Sequence, residues 1–294
     1  MDSSNSITSR FSRSWKIAKD TFKVMWQDKE ILIFPILSSV FSIILLVLFL
    51  FPLILTGNLQ YRGIYLYLSI FFIYFIITFL AVFFNAGIVY IAKTRFSGGN
   101  ATLSDGLKAG FRHMPQLISW SLLSATVGLL LNLLSSPARK NNNITGLIQK
   151  AVISLLGLAW AIVSVFVVPA IVLKGHGPIK ALRSSVEAVK KTWGESLIRY
   201  YGLGLLKGIF SIVGFILFLV PGVLLITSGS LNFGIVLIII FAFYFMLVSI
   251  IFSSANTVFN TALFIYADTG KVPSGYSKEE LQHAFVADDG SKLK

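Results

Sequence analysis

Six long apolar runs dominate the chain, each bounded by short polar or basic stretches. They are Ile31 to Leu55, Ile64 to Ala92, Leu117 to Leu134, Ala151 to Leu173, Gly208 to Ile226, and Leu231 to about Ser253. A helix crossing roughly 30 Å of hydrocarbon needs about 20 apolar residues at 1.5 Å per residue. The third run is the shortest and carries Ser119, Ser121, Ser124 and Asn132. The last apolar stretch continues to Ala267, too long for one crossing and too short for two with a turn, so it is expected to be one span extended as helix beyond the membrane. The pattern predicts an all-α fold, a polytopic membrane helix bundle of six spans.

The basic segments between the runs carry a helical period of their own. In the arm over 8–28, Phe11, Trp15, Ala18, Phe22 and Met25 recur at helical spacing, with Arg13, Lys16, Lys19 and Lys23 set between them. Before the third span come Leu103, Leu107, Phe111 and Met114, and Thr102 with Asp105 resembles a capping box. Before the fifth come Ile179, Leu182, Val186, Val189 and Trp193, with Gly177-Pro178 placed to open the helix. Amphipathic helices are therefore expected ahead of spans 1, 3 and 5. The same order three times suggests three degenerate two-span units, although any loop at a membrane surface needs interfacial aromatics and basic residues. Residues 1–267 read as a single membrane domain and 268–294 as a polar cytoplasmic tail.

Charge orients the bundle. Lys and Arg number six in the arm, four between Lys93 and Gln116, six between Lys174 and Arg199 and four in the tail, whereas the opposite side has Arg62, Arg139, Lys140 and Lys150. Cytoplasmic loops keep positive charge, so both termini are expected in the cytoplasm and the chain in the cell membrane. All twelve carboxylates fall on the same inner side. The net charge of +13 is thereby explained by position and implies no nucleic-acid partner. Hydrophobic residues make up 55% and charged residues 13% of the chain, against about 25% charged in soluble domains; a water-soluble fold is excluded. With no cysteine, disulfides, thiolate metal sites and Cys nucleophiles are excluded as well. No small-residue cleavage pattern follows the first run, which is expected to remain in the mature protein.

Phe11-Ser12-Arg13-Ser14-Trp15-Lys16, the Asp28-Lys29-Glu30-Ile31-Leu32-Ile33-Phe34-Pro35 lead-in to the first span, and Ala262-Leu263-Phe264-Ile265-Tyr266-Ala267 with Gly270 and Pro273 together resemble an uncharacterised family of prokaryotic six-span membrane proteins. The tail Gly275-Tyr276-Ser277-Lys278-Glu279-Glu280-Leu281 is similar to that family's ending. More distantly, the three-unit layout resembles the membrane-anchor domain of some glycerophosphodiester phosphodiesterases, which implies topology and no chemistry.

No catalytic constellation is legible, and neither a cofactor nor a metal is expected. His113, His176 and His283 lie far apart, and no span contains Asp or Glu, so the carboxylate that proton- or sodium-driven transporters use inside the membrane is missing. Lys207 stands at the start of the fifth span, where a lysine can snorkel to the interface. Ser253, Asn256, Thr257, Asn260 and Thr261 fall at steps of three and four along the last helix, a polar stripe open to two readings: hydrogen bonding between helices or a solute site. Asn85 and Asn132 are further polar positions of the interior, and Asn143-Ile144-Thr145 is a glycosylation sequon in the second outer loop. Trp15, Lys16, Lys19, Lys23, Trp26, Arg112, Lys190, Lys191 and Trp193 are candidate lipid-interface contacts. The expected partner is the bilayer with its anionic inner-leaflet lipids, alongside protein partners or further copies of the chain. The expected function is a non-catalytic scaffold, accessory subunit or lipid-interacting organiser of the membrane, and the alternative is a transporter or channel for a neutral or lipid-like solute.

Overall fold

The computed structural model describes residues 15–16, 18–55, 64–140, 143–193, 202–278 and 281, with the backbone alone at 50, 52–55, 64–67, 136–140, 192–193, 202 and 205. Among these residues there is no strand. Helix α1 covers 18–27. A 3-10 turn, Lys29–Leu32, leads into α2 (Ile33–Leu55), followed by α3 (Ile64–Phe96), α4 (Leu103–Arg112), α5 (Met114–Lys140), α6 (Ile144–Ser164), α7 (Val167–Lys174) and α8 (Pro178–Trp193). Helix α9 (Gly202–Gly214) passes through a π-helical turn, Phe215–Leu219, into α10 (Val220–Thr227), and α11 (Leu231–Thr269) closes the bundle. Six stretches are long and apolar enough to cross a membrane: Lys29–Phe49, Leu68–Phe96, Met114–Ser135, Ile144–Lys174, Leu206–Thr227 and Leu231–Thr269. A short helix precedes a pair of these stretches three times over.

Two prolines shape the long helices. The fourth run is interrupted at Val165 and Phe166, because Pro169 has no N–H and its ring clashes with the carbonyl four residues earlier. The Phe166 N–H turns to the Ser185 hydroxyl on α8, at 3.1 Å in a buried position. Pro221 acts in the same way on the Leu217 carbonyl, inside the π-helical turn that widens α9 before α10.

Burial is concentrated at one end of the bundle. Phe34, Ile88 to Ala92, Leu117, Phe166 to Ile171 and Ala255 to Phe264 pack together there with parts of α1, α4 and α8. Away from this packed end, large apolar side chains such as Leu48, Phe72, Leu134, Leu155, Leu224 and Phe233 are exposed. So much exposed apolar surface is untenable in water and fits helices whose solvent is hydrocarbon.

The packed end is locked by contacts that cross the chain. The Arg95 guanidinium donates through Nε and Nη2 to both oxygens of the buried Asp28 carboxylate, each at 2.5 Å, a two-pronged pairing suited to the planar fork of arginine. It ties the lead-in of α2 to the end of α3. Lys174 pairs with Asp268 at 2.5 Å, joining α7 to α11, and Gly270 ends α11 in the left-handed region that glycine adopts without strain. The polar tail expected over 268–294 begins by packing inward. Pro273, Tyr276 and Leu281 are buried, and the Tyr276 hydroxyl donates to Thr21 Oγ1 on α1 at 3.0 Å. Residues 279–280 and 282–294 of that tail lie outside the described residues, as do Phe11, Arg13 and residues 56–63, Arg62 among them.

The short helices bury their smallest residues. Helix α4 buries Gly106, Ala109 and Gly110 and leaves Leu103 and Leu107 at the edge of the core and Phe111 61% exposed. Helix α8 buries Ala181, Ser185, Ala188 and Val189 while Ile179 is exposed. Small side chains let backbones approach closely, and Leu103, Leu107, Leu182 and Val189 of the expected apolar faces pack with the core beside them. The capping box is present: Asp105 N–H donates to Thr102 Oγ1, and Thr102 N–H donates to Asp105 Oδ2. The bonds from Thr102 hold the Asp105 carboxyl below its ordinary range.

Candidate functional site

Helix α1 turns Ala18, Thr21, Met25 and the following Asp28 into the packed end, at steps of three and four. Beside that face, Lys19, Lys23 and Trp26 of α1 and the preceding Trp15 border, with Ala18 and Phe22, a shallow concavity of about 330 Å³. Both tryptophans are 52% exposed. Trp15 shares this concavity with Ala18 and Phe22 of its apolar series as well as with the lysines. Lys16 is exposed nearby. Arg112 lies exposed at the end of α4, and Lys190 and Lys191 lie exposed in the last turn of α8. The Trp193 side chain falls outside the described residues.

The polar stripe of α11 divides among different surroundings. Thr257 and Thr261 are buried and donate to the carbonyls of Ser253 and Thr257, at 3.1 and 2.7 Å. Such bonds satisfy a hydroxyl within its own helix, so neither threonine needs a partner helix or a solute. Ser253 and Asn256 are exposed and Asn260 is half-buried.

Ser253 instead joins a second group of polar residues. A cleft of about 350 Å³ between α2, α3, α9 and α11 is lined by Ser38, Ser39, Asn85, Lys207, Ser249 and Ser253, with apolar side chains filling the remainder of its wall. The side-chain oxygen of Asn85 is buried without a hydrogen-bond partner. Lys207 forms no ion pair among the described residues, and no carboxylate lines the cleft. Asn132, by contrast, is exposed far along α5. Sequence spacing identifies Ser253 and flags Asn85 and Lys207 singly. It does not identify the cleft, because Ser38, Asn85, Lys207 and Ser249 come from four helices and meet only through the packing.

Elsewhere, burial together with the charge of Arg112 pushes His113 below the ordinary histidine value, and His176 Nδ1 lies 3.1 Å from the Ser184 hydroxyl. Trp120 and Trp160 stack between α5 and α6, with ring centres 5.6 Å apart.

Residues 63–275 match DUF6159, a family of unknown function, and the chain belongs to that family. The match begins after the first span, so Phe11 to Lys16 and Asp28 to Pro35 lie outside it, while the closing Ala262 to Ala267 with Gly270 and Pro273 lies within it. No curated protein and no solved structure matches the chain, and the similarity in layout to phosphodiesterase anchor domains gains no support.

Proposed function

We propose that this member of DUF6159 is a non-catalytic multi-pass component of the cell membrane, with both termini in the cytoplasm, whose packed end rests on anionic lipid of the inner leaflet. The observation that carries this reading is the concavity along α1, where Trp15 and Trp26 flank Lys19 and Lys23 beside the apolar Ala18 and Phe22. Tryptophan favours the level of the head groups, and each lysine near an anionic surface contributes about 1 kcal/mol. Arg112, Lys190 and Lys191 add positive charge on α4 and α8, the other two short helices that act as amphipathic surface elements in this reading. The distribution of Lys and Arg along the sequence sets the orientation. Passage of a neutral or lipid-like solute along the α11 stripe is the weaker reading, since the members of that stripe face different surroundings.

The test is lipid enrichment around the full-length protein in nanodiscs of mixed phosphatidylcholine and phosphatidylglycerol. The wild type is expected to enrich the anionic lipid in a salt-sensitive way, and Lys19→Gln/Lys23→Gln to lose most of that enrichment. Equal retention of both lipids by the wild type would contradict the reading.

A further inference from the structure

We propose that the cleft around Lys207 is a specific site for one anionic phospholipid whose head group carries hydroxyls, with an acyl chain lying along the seam between α2 and α3. The inference deepens the reading above and rests on it, because the ligand must come from the bilayer.

Three observations converge. The cleft holds one cation and no carboxylate, which suits the single negative charge of a phosphodiester. Its volume of about 350 Å³ lies within the range of about 300–1,000 Å³ usual for small-molecule sites. The buried, unpartnered oxygen of Asn85 calls for a donor, because a buried acceptor without one carries a desolvation cost. A phosphate supplies acceptors only, whereas a hydroxylated head group supplies that donor. Ser38, Ser249 and Ser253 add hydroxyls that can donate to phosphate oxygens.

The seam continues the site toward hydrocarbon. An apolar groove of about 240 Å³ lies between α2 and α3, lined by Leu45, Leu46, Phe49, Ile73 and Ile77 among others. On α2 the positions Pro35, Ser39, Leu46 and Phe49 share one helical face, and on α3 the positions Ile88, Asn85, Ala81, Ile77 and Ile73 do the same. Cleft and groove are thus both bordered by α2 and α3, the groove further along the same pair of helices. From Ser39 to Phe49 is about 15 Å at 1.5 Å per residue, about half of a 30 Å hydrocarbon core and hence the depth of one leaflet. A polar chamber with a lysine at one end and a dry trough at the other matches a phospholipid in both chemistry and length.

Native mass spectrometry of the full-length protein in detergent, with added phosphatidylglycerol, phosphatidylcholine or inorganic phosphate, tests the site. The expected result is one tightly held phosphatidylglycerol that survives high salt, weakened about tenfold or more by Lys207→Gln through loss of a charge-assisted contact. Lys207→Arg is expected to keep it, Asn85→Leu to weaken it, and Leu46→Trp to weaken it by blocking the trough. An adduct unchanged by Lys207→Gln, or held equally by phosphatidylcholine, overturns the proposal. Displacement by inorganic phosphate overturns it in favour of a free-anion site. The two readings fail separately: Lys19→Gln/Lys23→Gln changes the salt-sensitive surface enrichment and leaves the tight adduct in place, whereas Lys207→Gln does the reverse.

Discussion

Phe34 shows how closely the packed end is fitted. A side-chain carbon added at Gly87 would lie 2.2 Å from the Phe34 ring, and one added at Gly106 would lie 2.5 Å from it. The ring thus sits between the bare backbones of α3 and α4, and the same device recurs where Tyr244 lies on Gly214 and Tyr74 on Gly128. Gly87→Ala is accordingly expected to destabilise the protein by about 1–3 kcal/mol through overpacking, and Phe34→Leu in the same chain to recover part of that loss. Thermal unfolding of the full chain in one detergent measures both; an unchanged midpoint for Gly87→Ala would contradict the packing. Phe34 was legible as part of the lead-in to the first span. Its two glycine partners were not, because a glycine within an apolar run gives no sign of which distant ring will lie on it.

At the level of the elements, the six apolar helices were legible because a hydrocarbon solvent demands uninterrupted length. The capping box at Thr102 and Asp105 was legible too, since both of its hydrogen bonds are local. The break between α6 and α7 was not. Pro169 stands inside a run that otherwise reads as continuous, and the group that accepts the freed N–H of Phe166 is Ser185, on another helix. Ser185→Ala leaves that buried N–H without an acceptor and is expected to cost about 1–3 kcal/mol. Ser185→Thr, which keeps a hydroxyl, should cost less if the added methyl fits. Equal thermal midpoints for wild type and Ser185→Ala would show that the bond contributes nothing. The same contrast between local and distant partners explains the candidate sites. The α1 surface could be found as a run of Trp and Lys on one short helix, whereas the cleft needs four helices brought together.

The molecule as a whole has two ends of different character. At one, α1, α4, α7 and α8 close around the ends of α3 and α11, held by Arg95 with Asp28, Lys174 with Asp268, and Tyr276 with Thr21. Beyond it, the apolar helices expose their large side chains in every direction that hydrocarbon can cover. The proposed functions depend on the packed end lying at the cytoplasmic face, where the proposal sets the basic residues against anionic lipid. The absence of cysteine from the sequence allows a direct measurement: single cysteines placed at Ser228, in the turn between α10 and α11, and at Ser274, in the tail segment that follows α11, treated with a membrane-impermeant maleimide on intact cells. Ser228→Cys is expected to label from outside, and Ser274→Cys only after permeabilisation. Labelling of Ser274→Cys on intact cells, or of both positions equally, would contradict the account.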